Sequence, residues 1–119
     1  MIVAIDHVQL AMPLVGEERA RDFYIGVLGL AEVEKPAELA ARGGCWFESV
    51  AVRVHLGVER AFQPARKAHP AFRVRALEAL LARARDRGVR VYDEEQRDGE
   101  HRAYLDDPFG NRIELIEGF

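Results

Sequence analysis

Apolar and polar residues change their spacing several times along this 119-residue chain, and each change marks a new element. Residues 2–11 alternate: Ile5, His7, Gln9 and Ala11 share one face, Asp6, Val8 and Leu10 the other, which predicts a strand. From Glu17 to Leu28 the period becomes helical, with Ala20, Phe23, Tyr24, Val27 and Leu28 on one stripe. Glu17 and Glu18 suit the start of that helix, and Gly29 suits its stop. A short strand is expected near 30–35, then a loop over 36–44 with one helical turn, then a tight hairpin of strands at 45–49 and 52–58. Residues 61–68 are basic, contain Pro64 and have no period, so they read as a linker. Beyond it come a strand over 69–74, a second helical stripe of Leu77, Leu80, Leu81 and Ala84 ending at Gly88, and strands near 89–93, 101–105 and 111–117.

The order is βαβββ, linker, βαβββ. The halves superpose with an offset of about sixty residues, placing His7 on His69 and Gly29 on Gly88. The fold class is α+β, with module 1 about 1–60 and module 2 about 68–119. One such module cannot cover both faces of its sheet, so two must pair, within a chain or between chains. The closing stretch carries the sharpest signal. Asp107-Pro108-Phe109-Gly110 has the residues of a tight turn. The strand after it sets Ile113 and Leu115 on one face and Arg112, Glu114 and Ile116 on the other. A carboxylate such as Glu114 inside an apolar strand is costly unless a cation, a metal or water meets it.

Composition narrows the classes. With 49% hydrophobic and 31% charged residues, the chain fits one globular domain, neither disordered nor membrane-embedded. A net charge of −3 argues against nucleic acid and anionic membranes as partners. The N-terminal MIVAIDHVQL lacks the features of a signal peptide, and a single cysteine, Cys45, suits a reducing compartment, so a cytoplasmic location is expected.

Few polar residues fall inside the predicted strands, and they fall at matching points of the two halves. His7 and His69 belong to the first strand of each half; His55 and Glu114 belong to the last. Imidazole nitrogen and carboxylate oxygen suit a divalent Fe, Ni, Co, Mn or Zn ion. The competing reading is a polar cup in which Glu114 pairs with Arg112, Arg53 or Arg73 and the histidines are packed side chains. His101 is expected in an exposed turn, and Cys45 reads as a buried apolar residue rather than a nucleophile. There is no phosphate-binding glycine loop and no nucleophile elbow.

The DHVQLAM opening, AHPAFRV in mid-chain and above all YLDDPFGNRIELIE resemble the vicinal oxygen chelate superfamily. That group includes glyoxalase I, methylmalonyl-CoA epimerase, fosfomycin-resistance proteins, extradiol dioxygenases and bleomycin-resistance proteins. The resemblance implies a curled, cup-shaped mixed sheet with helices on the outside. It implies metal ligands at His7, His69 and Glu114, with His55 at a fourth, more variable place. The expected assembly is a homodimer in which His7 and His55 of one chain face His69 and Glu114 of the other. The implied activity is a metal-dependent lyase or isomerase, or else a dioxygenase, acting on a small substrate with neighbouring oxygens through a metal-stabilised enolate or oxyanion. Glu114 or His55 would move the proton, and Arg102, Tyr104 and Arg112 would grip an anionic substrate. The sequence departs from individual members: glyoxalase I-like enzymes carry glutamate, and epimerase-like ones usually glutamine, where this chain has His55. The alternative is a metal-free protein of the bleomycin-resistance type that sequesters a small molecule.

Overall fold

A computed structural model describes residues 1–118. The chain forms two compact units, Met1–Gln63 and Pro64 onward, each a four-stranded mixed sheet with a helix packed on one face.

The first unit contains β1 (Val8–Met12), α1 (Glu17–Tyr24), β2 (Ala31–Val33), the single turn α2 (Ala37–Ala40), β3 (Cys45–Ser49) and β4 (Val52–Val58). Its sheet runs β1-β4-β3-β2, with β1 parallel to β4 and the other pairs antiparallel. Alternation sends Leu10, Met12, Cys45, Phe47, Val54 and Leu56 to the face that meets Ala20, Phe23, Tyr24 and Val27, and all of these are buried. Tyr24 stacks on Phe47 with ring centroids 5.3 Å apart. Burying each large apolar side chain contributes roughly 1.5–3 kcal/mol, which is what fixes the helix to this face. The helix is shorter than its apolar stripe predicts. Val27 and Leu28 both donate to the Phe23 carbonyl, so the last turn is irregular before Gly29 closes it at φ +76°.

Strand β1 also begins later than alternation predicts. Its ladder with β4 runs from Val8↔Val54 to Met12↔Val58, and β4 itself starts at Val52. Residues 1–7 therefore run ahead of the ladder, with Met1, Ile2, Val3 and Ile5 exposed.

The second unit repeats the plan with β5 (Ala71–Val74), α3 (Leu77–Asp86), β6 (Val91–Arg97), β7 (Glu100–Asp106) and β8 (Arg112–Glu117), in the order β5-β8-β7-β6. Leu77, Leu80, Leu81 and Ala84 pack on the face carrying Ala103, Leu105, Ile113 and Leu115. The predicted turn is present: the Gly110 N–H donates to the Asp107 carbonyl, and Gly110 takes φ +94°. The Asp107 carboxylate accepts from the Phe109 and Asn111 N–H groups and from the Asn111 amide, and the Asn111 side-chain oxygen accepts from the Ala65 N–H. Ala65 in turn accepts from the Arg112 N–H, so the C-terminal half of the expected linker is tied to this unit.

The sequence reading misplaces one hairpin. Strands β6 and β7 are joined by Asp98-Gly99, both at positive φ, the pairing a two-residue primed turn requires. His101 consequently lies within β7 rather than in an exposed turn, and its Nε2 is 2.9 Å from a Glu94 carboxylate oxygen.

Candidate functional site

Each sheet has a second face turned away from its helix, and the polar strand residues gather there. In the first unit, Gln9 and Trp46 are the ladder partners of His55 on its two sides, so the three share that face. Trp46 stacks on His55 with centroids 3.9 Å apart, and His7 stacks on it with centroids 4.1 Å apart. His55 is thereby buried to 7% exposure. Burial, with a smaller contribution from neighbouring His7, lowers its pKa and favours the neutral imidazole.

His7 is held differently. Its Nδ1 lies 2.9 Å from the Asp6 carboxylate, which also accepts from Arg53 at 3.1 Å. The hydrogen bond with His7 holds the Asp6 carboxyl below its ordinary range, so Asp6 is an acceptor and Nδ1 carries the proton. Nε2 is then the ring nitrogen turned away from Asp6, the orientation a carboxylate–histidine pair gives to a metal ligand.

In the second unit, His69 lies two residues ahead of β5 and Glu114 is the central acid of β8. The His69 Nδ1 is 2.9 Å from the Lys67 carbonyl, which can only accept, so here too Nδ1 carries the proton. His69 Nε2 then points at Glu114 Oε1, 3.1 Å away, while Arg102 donates to Glu114 Oε2 at 2.7 Å. Burial works to raise the Glu114 pKa, but the hydrogen bonds from His69 and Arg102 outweigh it and hold the carboxyl below its ordinary range. Tyr104 faces Glu114 in the ladder and lies edge-on to His69 at 5.5 Å. The Arg112 guanidinium lies 4.0 Å from the centre of the Tyr104 ring.

The structure thus brings the four expected ligand residues together as two pairs, His7 with His55 and His69 with Glu114, one pair in each unit. Among the described residues, no three His, Cys, Asp or Glu side chains form a metal-binding group. The donor chemistry nevertheless fits a divalent cation. His7 presents Nε2 opposite its anchored nitrogen, His55 is favoured neutral, Glu114 is ionised, and His69 Nε2 is engaged with Glu114 in a contact that an ion would replace. The 3.1 Å between His69 Nε2 and Glu114 Oε1 is also the spacing of two donors each about 2.1 Å from one ion.

Sequence reasoning missed the residues that orient these groups. Asp6 had a signal in its adjacency to His7. Trp46 had none, because only the β3–β4 register places it over His55. The partner of Glu114 is Arg102, from the neighbouring strand, and not Arg112, Arg53 or Arg73.

An open-faced pair of βαβββ units with histidine and glutamate on the sheet surfaces defines a protein class, and comparison with known proteins identifies it. Residues 4–115 match the model of the Glyoxalase/Bleomycin resistance protein/Dioxygenase superfamily, to which this chain belongs. A glyoxalase family protein from Bacillus anthracis is 45% identical, with a TM-score of 0.92 over 100% of this chain and 98% of that one. The fosfomycin resistance protein FosX from Listeria monocytogenes shares the fold at 17% identity, with a TM-score of 0.80 over 100% of this chain and 96% of that one. None of the curated proteins compared matches the sequence. No helix among the described residues is long and apolar enough to cross a membrane.

Proposed function

We propose that this chain is a metal-dependent enzyme, of lyase or isomerase type first and ring-cleaving dioxygenase type second, acting on a small substrate with two neighbouring oxygens. The observation that carries this reading is the shared anchoring of His7 and His69. Each has Nδ1 held by an oxygen, which directs Nε2 away from that anchor, in His69 onto Glu114, where an ion would take the place of the His69–Glu114 hydrogen bond. His7, His69 and Glu114 would hold the ion and His55 would stand beside them, with a second copy of the chain supplying the complementary pair. The bound cation, Fe, Ni, Co, Mn or Zn, would supply Lewis-acid polarisation of the substrate oxygens. His55, kept neutral by burial, is the group that takes and returns a proton. Arg102, Tyr104 and Arg112 present positive charge and an aromatic ring on the same face as Glu114, which suits an anionic substrate group.

One observation favours a second reading, a metal-free sequestering protein. Arg102 and His69 already satisfy both oxygens of Glu114. Elemental analysis after incubation with each divalent ion and dialysis separates the two. The enzyme reading expects near-stoichiometric metal in the parent protein and its loss in His7→Ala and Glu114→Gln. Undiminished metal in both variants would sink the ligand assignment, and a parent protein that retains no metal supports sequestration.

A further inference from the structure

The open face of the first unit also holds a cavity of about 310 Å³ that the metal-ligand assignment does not use. Gln9, Trp46 and Gly57 line it from the sheet, and Lys35, Leu39 and Arg42 line it from the segment around α2. Two glycines give it shape. A Cβ on Gly57 would come within 2.3 Å of Gln9 Nε2, so glycine there lets the Gln9 amide lie across β4. A Cβ on Gly44 would come within 2.1 Å of the Leu56 carbonyl oxygen, and Gly44 takes φ +87°. Only glycine lets the chain approach β4 this closely, which seats the α2 segment against the sheet.

The charge of the cavity is positive. Lys35 donates to the Gly43 carbonyl, which fixes the ammonium without neutralising it. Arg42 adds a guanidinium. The neighbouring Glu17 carboxylate accepts the Gly44 N–H at 2.8 Å, and its single charge is outnumbered by the two cations. Beside them, Trp46 and Leu39 present apolar surface. Trp46 is also the ring that stacks on His55, so the cavity and the His7–His55 pair share a wall.

We propose that this cavity binds a small organic anion, with Lys35 and Arg42 holding carboxylate or phosphonate oxygens, Gln9 supplying an amide, and the body of the molecule against Trp46 and Leu39. Its role as the substrate pocket rests on the enzymatic reading above; the binding itself rests on the first unit alone. A ligand whose body lies on Trp46 touches the ring that covers His55.

Trp46 is the chain's only tryptophan, so its fluorescence, excited at the red edge, reports occupancy directly. The titration uses the metal-free protein with phenylphosphonate, benzyl alcohol and inorganic phosphate. Phenylphosphonate should change the emission saturably, and bind roughly tenfold more tightly than either the neutral ring or the bare anion, because charge-assisted contacts and apolar burial act together. Lys35→Gln and Arg42→Gln should each weaken it roughly tenfold, while Arg60→Gln, an exposed charge outside the cavity, should not. Absence of saturation, equal affinity for benzyl alcohol, or indifference to both lysine and arginine variants would overturn the proposal. A protein that takes no metal but binds phenylphosphonate keeps this pocket and loses the enzymatic reading. One that takes metal but ignores phenylphosphonate keeps the enzymatic reading and loses the pocket.

Discussion

Cys45 shows how burial decides reactivity at a single residue. It opens β3, is 1% exposed, and faces the core under α1; burial pushes its thiol up to about 11. At pH 8 the thiolate is a very small fraction, and the sulfur is out of reach. The native protein should react with a thiol reagent such as iodoacetamide only on the timescale of unfolding, with full labelling in denaturant; fast stoichiometric labelling of the native state would contradict the packing. Glu17 shows the converse effect. The Gly44 N–H, donated to its carboxylate at 2.8 Å, is the main reason its pKa falls below the ordinary 4.5. A carboxyl depressed in the folded state stabilises above its unfolded pKa and loses that contribution as pH falls through the folded value. Glu17→Gln should therefore lower the urea midpoint at pH 7, and the gap from the parent should shrink below about pH 4. An unchanged gap across that range would show that the carboxylate charge is not what holds Gly44.

Elements here are set by their ends as much as by their stripes. Helix α3 starts from Ala76 at φ +54°, ψ 56°, a left-handed conformation that costs an L-residue roughly 1 kcal/mol. It has no side-chain cap of its own. Instead, Glu117 of β8 accepts the Leu77 N–H at 2.9 Å, which ties the start of the helix to the strand beneath it. Ala76→Gly should relieve the strain and stabilise the chain by up to about 1 kcal/mol, read as a raised denaturation midpoint. A loss of stability there would mean the residue is not left-handed in solution. Strand β6 was the element least legible in sequence. Only Val91 and Tyr92 are partly buried, the charged run after them is exposed, and a register shift between Tyr92 and Glu95 coincides with Asp93 at φ +51°. An edge strand that is bulged and solvated has no reason to keep a two-residue period.

At the scale of the whole molecule, the two units carry two half-sets of donors, and the segment ahead of β1 carries apolar side chains in the open: Ile2 is 92% and Ile5 81% exposed. A surface of that kind suits a partner, and the homodimer proposed above would cover it while completing the donor set. Sedimentation should find a dimer, and Val3→Lys with Ile5→Lys should shift it toward monomer and lower metal retention together. A monomeric parent that holds stoichiometric metal would remove the need for a second copy.

The sequence by itself determined the α+β class, the doubled βαβββ order, the core faces of both helices and the turn at Asp107–Gly110. Those features follow from period, glycine placement and turn chemistry, which are local. It also singled out His7, His55, His69 and Glu114, because polar groups within predicted apolar strands demand a partner, although His7 and His69 lie just ahead of β1 and β5. Only the tertiary structure decided who the partners are. Trp46 over His55, Asp6 and the Lys67 carbonyl on the Nδ1 atoms, Arg102 on Glu114 and the Lys35–Arg42 cavity all depend on strand register or on where a loop lands. Those are settled by packing between residues distant in sequence, and no local pattern encodes them.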